Sequence, residues 1–201
     1  MKNISRILKI FILLACTSIL FASCEKAPKM PKPPTYLRLD IAPSKYVEFT
    51  KEGVPFSFKY PQDGKIVQMD SKSKNNIWFN IAFDDYNFDI NVSCLLLTAD
   101  TMLQYAVNDS YTFLSRHEKL SSGIVQQEYK NQERNVYGTT FEIQGRDVIS
   151  PYQFYLTDST KYFVRCALYN REIPNNDSIA PIIVRLKKDM QTMISSFTWK
   201  K

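Results

Sequence analysis

Two runs of period-two alternation, NIWFNIAF at 76–83 and FDINVSCLLL at 88–97, restrict the chain to folds that contain an antiparallel sheet. Only the polar tetrapeptide 84–87 separates the two runs. Alternation on both sides of a short polar turn is typical of a β-hairpin. Each run places a row of large apolar side chains on one face, so one face of this hairpin must be buried against another layer.

The end of the sequence predicts a long amphipathic helix. Apolar side chains recur at spacings of three and four from Ile182 to Phe197, which is the pattern of a helix that lies on a sheet. Asp177 or Ser178 is available as its N-cap, and Pro181 is tolerated in a first turn. The predicted solvent side carries Arg185, Lys187, Lys188 and Gln191.

The remaining pattern completes an α+β fold. Helical spacing predicts a mid-chain helix over about 100–117, with Thr98 or Asp100 as its cap. Strands are predicted at 56–60, 124–132, 136–144, 148–158 and 161–170. Antiparallel strands with a mid-chain helix and a long C-terminal helix indicate helices layered on a sheet. This order resembles the PsbP-like (Mog1-like) sandwiches, a likeness of fold that carries no activity.

The first 23 residues resemble a bacterial lipoprotein signal peptide. The basic segment MKNISRILK precedes 13 apolar or small residues at 10–22, a secretory pattern that is shorter than the ~20 residues of a membrane span. Ala22 and Ser23 then lead into Cys24, the expected site of cleavage and lipid attachment, with palmitate among the acyl chains. Cys16 is a rival acceptor, and an ordinary signal peptide with an incidental cysteine is the alternative interpretation.

The predicted domain organisation follows from that signal. Residues 1–23 form the signal peptide, 24–35 a lipidated tether rich in proline and lysine, and 36–201 a single α+β domain. A proline-rich tether favours extended conformations and would hold the domain away from the membrane surface. Lys2, Arg6 and Lys9 leave with the signal, so the net charge falls from +6 to +3.

The composition argues against several functions. A net charge of +3 without a basic stripe gives no reason to expect nucleic-acid binding. The five glycines form no phosphate-binding loop, and the single histidine excludes a multi-histidine metal site. The adjacent acids Asp84 and Asp85 fall in the hairpin turn, where aspartate is common. We therefore expect no enzyme activity, no metal and no cofactor.

Several polar residues have local structural interpretations. His117 ends the mid-chain helix, where a cationic imidazole would cap it or contact a partner. Asp158 and Ser159 can close a turn by bonding their own backbone. Arg165 alternates with apolar neighbours, so it could point to an apolar face and would then need a carboxylate partner. Asn175 and Asp177 are typical of a loop that ends in a helix cap.

The two cysteines of the predicted domain, Cys94 and Cys166, lie in apolar strand-like runs. They could form a disulfide in an oxidising compartment if adjacent strands bring them together. The alternative is a pair of buried thiols that act as small hydrophobic side chains.

Longer strings of sequence resemble the GldD family of gliding motility lipoproteins of Bacteroidetes. These strings are YLRLD, FSFKYP, SRHEKLSSGI, QFYLTDSTKYFVRCALYN, PNNDSIAPII and the terminal WK, and they run from about Tyr36 to Lys201. The chain departs from the family at Tyr162, often histidine, at Cys166, often glycine, and at Asn170, often aromatic. The positions that match the family, with no known role, are His117, Lys119, Asp158, Ser159, Arg165, Asn175 and Asp177.

This resemblance implies a non-enzymatic lipoprotein anchored at Cys24 in the cell envelope, facing the periplasm, with the outer membrane favoured over the inner. Its expected partners are the membrane and other envelope proteins of the gliding and type IX secretion machinery. The alternative is a periplasmic lipoprotein that binds a small ligand or a cell-wall glycan. Three tripeptides also fit a Bacteroidetes O-glycosylation pattern, with acceptors at Thr101, Ser159 and Ser178.

Overall fold

The structure, a computed structural model, describes residues 41–68, 76–99 and 101–200. The predicted signal peptide, the tether, Cys24 and Asp100 lie outside the described residues. Ten strands and two α-helices make up this region. The strands are β1 (Tyr46–Phe49), β2 (Phe56–Pro61), β3 (Lys65–Gln68), β4 (Asn76–Phe83), β5 (Phe88–Leu96), β6 (Gly123–Asn131), β7 (Val136–Gln144), β8 (Tyr152–Thr157), β9 (Tyr162–Asn170) and β10 (Thr198–Trp199). The helices are α1 (Met102–Ser115) and α2 (Ala180–Ser196).

The strands form two antiparallel sheets. The larger sheet has seven strands in the order β3-β4-β5-β9-β8-β7-β6, and the smaller has the order β1-β2-β10. The predicted hairpin is the β4–β5 pair, with Phe83 opposite Phe88. Asn87 closes its turn in the left-handed conformation, with φ of 56°, which asparagine tolerates better than most residues. The α+β class predicted from the sequence is confirmed.

The main core lies between the inner face of the large sheet, helix α2 and the small sheet. The hairpin contributes alternate residues to it, from Phe79 to Phe83 and from Phe88 to Cys94. Helix α2 adds Leu186, Met190 and Met193 from its apolar stripe. The small sheet adds the buried aromatic rings of Phe49, Phe56 and Phe58, which pack with the buried ring of Phe197 between α2 and β10.

Helix α1 covers part of the opposite, outer face of the large sheet. Leu114 packs with Phe141 of β7, and Ala106 packs with Phe163 of β9. The outer face of β3 and β4, which includes Val67 and Trp78, carries neither helix, and both side chains are exposed. The large sheet is therefore covered on its inner face but only partly covered on its outer face.

Several local predictions were wrong. Strand β8 begins at Tyr152 and not at 148, because 145–151 form a connection in which the carbonyl of Pro151 accepts the Ile143 N–H. Thr98 does not cap α1, and neither Asp177 nor Ser178 caps α2: α1 begins after Thr101 and α2 after Ile179, both without a side-chain cap bond from that residue. The other candidate cap of α1, Asp100, lies outside the described residues, so that prediction is not tested. The Thr98 hydroxyl instead donates to the sulfur of Met102.

Candidate functional site

The positions singled out from the sequence do not converge on one site. Asp158 and Ser159 lie in the β8–β9 turn, at one end of the large sheet, here called the Asp158 end. Lys119, Asn175 and Asp177 lie in connections at the opposite end, here called the Asn175 end. Arg165 lies between the two ends on the outer face, beside His117. A single catalytic centre built from these residues is therefore not supported by their placement.

Asp158 shapes the turn in which it lies. Its Oδ1 atom accepts backbone N–H groups from Thr160, Lys161 and Tyr162 at 3.0, 2.8 and 2.9 Å. Ser159 adopts φ of 67°, and its N–H donates to the hydroxyl of Thr157. One carboxylate oxygen thus satisfies three donors that a tight turn would otherwise leave unpaired.

His117 and Arg165 form a buried basic pair where α1 ends over the sheet. His117 is only 8% exposed, and burial together with the charges of Arg165 and Arg116 lowers the pKa of its imidazole. The predicted role as a cationic helix cap is therefore wrong, because helix α1 ends at Ser115 and this environment favours the neutral imidazole.

Arg165 lies on the outer face with Phe163 and Ala167, as its alternation predicts. Its guanidinium donates to Gln153 Oε1 at 2.8 Å and stands 4.4 Å from the ring centroid of Phe113. No carboxylate within the described chain forms a salt bridge with it, which corrects the expectation of an acidic partner. Burial lowers its pKa, and the amide and the aromatic ring compensate for the lost water.

The His117 environment predicts acid sensitivity. Because the folded pKa lies below the ordinary 6.5, the unfolded chain binds more protons between these two values, and stability falls as the pH drops from 6.5 through the folded pKa. We expect His117→Gln to flatten this part of the pH dependence in denaturant melts between pH 5 and 8. His117 is the sole histidine, so an unchanged slope in the variant would contradict the interpretation.

Asn175 and Asp177 belong to the loop that leads into α2. The carbonyl of Asn175 accepts the N–H of Ser178, and Asp177 is exposed. The neighbouring Asn176 holds the loop in place, because its Nδ2 donates to the carbonyls of Gly145 and Val148 at 2.8 Å each. No sequence pattern distinguished Asn176 from its loop neighbours, because the carbonyls that it binds lie 31 and 28 residues away in the chain.

Cys94 and Cys166 are both buried free thiols. The strand register places Cys94 opposite Val164 and Cys166 opposite Val92, so the two cysteines are diagonal neighbours. Diagonal neighbours stand about 7–8 Å apart, beyond the usual Cα separation of a disulfide. The disulfide between Cys94 and Cys166, one of the two alternatives left open by the sequence, is not formed in this structure. Burial raises the pKa of Cys94 to about 12, so this thiol stays protonated.

A second buried charged cluster joins α2 to the start of the domain. The sequence placed Arg185 on the solvent side of the helix, but its side chain is 90% buried. Its guanidinium contacts Asp63 at 2.7 Å and the hydroxyl of Ser44 at 2.9 Å, and it lies 3.2 Å from Asp189 Oδ2. Tyr46 donates to Asp189 Oδ1 at 2.8 Å. The i, i+4 spacing of Arg185 and Asp189 in the sequence could have predicted that these two side chains pair.

A cavity opens at the Asp158 end of the large sheet. It has a volume of about 550 Å³ and lies between the β1–β2 connection and the ends of β4, β5 and β9. Three lysines and one glutamate line it, together with apolar side chains. The charged residues are Lys51, Glu52, Lys161 and Lys200, and the apolar ones are Val54, Pro55, Ile77 and Leu96.

Comparison with known families decides the classification. The model of the family described as gliding motility lipoprotein GldD matches residues 26–199, which is most of the chain. The chain belongs to the GldD family. Membership associates it with gliding motility and, as a lipoprotein, with the cell envelope. No curated protein sequence matches the chain significantly.

Solved structures similar to this GldD family member include cyanobacterial PsbP (CyanoP) from Synechocystis sp. PCC 6803. The two share 13% identity, with a TM-score of 0.47, over 83% of this chain and 99% of that chain.

Within residues 41–68, 76–99 and 101–200, no three His, Cys, Asp or Glu side chains are grouped closely enough to hold a metal ion. Across the same ranges, neither helix is both long and apolar enough to cross a membrane.

Proposed function

We propose that the protein is a non-catalytic envelope lipoprotein that supports assembly or stability of the gliding and type IX secretion machinery through protein contacts. The observation that carries this proposal is the GldD family match over residues 26–199. The local roles of the family-matching residues support it: Asp158 and Asn175 accept backbone N–H groups in turns, and Arg165 bonds an amide. None of these roles requires a substrate.

The proposed anchor is lipid on Cys24, followed by the 24–35 tether and the domain from residue 36, with the outer membrane favoured. Several acyl chains on one cysteine would hold the protein firmly, since a single chain binds only marginally. O-glycans are proposed at Thr101, Ser159 and Ser178, of which the first two are exposed and the third is half-buried. Intact-mass analysis of the protein from its native host tests both modifications.

The proposed contact surface is the uncovered outer face of β3 and β4. Trp78 is 43% exposed there and Val67 is also exposed, while the polar side chains of Asn80 and Asn91 share this face. Tryptophan surrounded by polar groups is typical of protein interfaces, where a few such side chains contribute most of the binding energy.

Complementation of a gene deletion tests this function. We expect Trp78→Asp to leave gliding, and surface display of secreted cargo, close to the level of the deletion strain. Val184→Asp is the matched control, because Val184 is an exposed apolar residue on α2, and it should restore both. Immunoblots must show equal amounts of the two variants. Full restoration by Trp78→Asp would exclude this surface, and unchanged gliding and cargo display in the deletion strain would exclude the function.

A second candidate function is binding of a small periplasmic ligand. The cavity at the Asp158 end favours it, because about 550 Å³ is within the range of ligand sites. A glycan platform has less support, since most large aromatic side chains of the described domain pack in the core. Among the exposed aromatic residues of the described chain, Trp78 lies on a sheet, whereas Tyr105 and Tyr111 lie on α1.

A further inference from the structure

The cavity at the Asp158 end is bordered by parts of both sheets. One wall is the β1–β2 connection, with Val54 and Pro55. The other wall is the inner face of the large sheet, with Ile77 and Leu96 at the ends of β4 and β5. These four side chains continue the main apolar core toward solvent, so the cavity offers an apolar interior to part of a ligand.

The charged residues of this cavity are mainly basic. Lys51, Lys161 and Lys200 line it, against the single acid Glu52. The ammonium of Lys161 lies 5.1 Å from the ring centroid of Tyr162, and that of Lys200 donates to the carbonyl of Lys51 at 3.0 Å. The nearby carboxylate of Asp158 is engaged by three backbone N–H groups in its turn. The excess of positive charge favours an anionic ligand.

Covalent capture of a ligand by the thiol of Cys94 is not supported by this cavity. Cys94 is the one thiol among the residues that line it, and its side chain is almost fully buried. Since burial raises the pKa of its thiol to about 12, reactive thiolate is scarce at neutral pH. Cys94 therefore acts as part of the apolar wall, and binding must rest on charge and apolar contact.

We propose that this cavity reversibly binds an amphiphilic carboxylate, with the apolar chain against Val54, Ile77 and Leu96 and the carboxylate among the lysines. This inference deepens the second candidate function and is independent of the first. The apolar wall accounts for the chain, and the ammonium groups of Lys161 and Lys200 account for the head group. A small inorganic anion would make no apolar contact with the wall of the cavity. A neutral alcohol would make no charge interaction with the lysines.

Calorimetric titration with laurate below its critical micelle concentration tests the proposal. The protein is the mature chain with Cys24→Ser, which removes the acyl acceptor whose lipid would compete for the cavity. We expect one laurate per chain, weaker binding of dodecanol and no binding of dodecyltrimethylammonium. Affinity should rise by about fourfold per methylene from octanoate to laurate. Equal binding of laurate and dodecyltrimethylammonium, or no binding of laurate, overturns the proposal.

Charge reversal at the rim locates the site. Lys161→Glu should weaken laurate binding at least tenfold, because it replaces attraction by repulsion beside the carboxylate. Lys188→Glu is the control with the same charge change on the exposed side of α2, and its affinity should be unchanged. Ile77→Trp, which fills the apolar part, should abolish binding without altering the surface charge. If Lys161→Glu and Lys188→Glu weakened laurate binding equally, the effect would come from the net charge of the protein and not from a contact at the cavity. That result would overturn the assignment of laurate to this cavity. None of these results bears on complementation through Trp78.

Discussion

Asp189→Ala is expected to lower the free energy of unfolding by about 3 kcal/mol. Asp189 is 1% exposed, and it accepts the Tyr46 hydroxyl while lying beside the Arg185 guanidinium. Removing one member of a buried ion pair leaves the other charge without compensation, which costs more than the pair itself contributes. The loss falls at the lower end of the usual range for such pairs because Arg185 keeps Asp63 and Ser44.

Urea denaturation of the purified protein measures this effect. Asp63→Ala is the matched control, because Asp63 also pairs with Arg185 but its side chain is 44% exposed. An exposed partner contributes about 1 kcal/mol or less. Tyr46→Phe should cost about 1 kcal/mol, the value of one hydrogen bond. Similar losses for Asp189→Ala and Asp63→Ala would refute the importance of burial in this cluster.

Phe56→Ala is expected to cost about 3–5 kcal/mol, the usual range for a fully buried phenylalanine. The ring of Phe56 is fully buried, and its centroid lies 5.3 Å from that of Phe197 and 6.0 Å from that of Phe58. The substitution removes the apolar contacts of β2 and leaves a cavity between the small sheet and α2. Neighbouring rings are too rigid to fill it completely.

Thermal and chemical denaturation would detect a loss of this size readily. Tyr105→Ala is the control, since it also removes an aromatic ring but Tyr105 is 68% exposed on α1. Surface substitutions of that kind usually change stability by less than about 0.5 kcal/mol. A Phe56→Ala variant as stable as Tyr105→Ala would show that the ring cluster of the small sheet does not hold that sheet in place.

The elements that sequence could predict are those with long, regular periodicity. The hairpin of β4 and β5 and the apolar stripe of α2 each repeat one spacing over many residues, so neighbouring positions reinforce the same prediction. The strands β1, β3 and β10 contain four, four and two residues, too few to establish a period. Strand β10 pairs with β2, across about 140 residues of sequence, a partnership that no local pattern contains.

Polar partners were harder to predict than strands. The alternation around Arg165 correctly placed it on one face with Phe163, but Gln153 and Phe113 lie on other elements, so the type of partner could not be inferred. The prediction that Arg185 faces solvent was wrong for a related reason. Its position on the helix favours solvent, while Asp63 and Ser44 reach it from the distant β1–β3 region. Tertiary pairing overrides the helical pattern at both arginines.

The ties from Ser44 and Tyr46 to helix α2 have a mechanical consequence. If the protein is anchored through Cys24 as proposed, tension arriving ahead of residue 41 first meets the apolar contacts of Ile41 with the main core and then the side chains of Ser44 and Tyr46. Strand β1 could otherwise be peeled from β2 one pair at a time, starting with Tyr46 and Pro61. The hydrogen bonds to Arg185 and Asp189 must break before β1 separates from β2. The tension therefore acts on α2, which is packed in the main core.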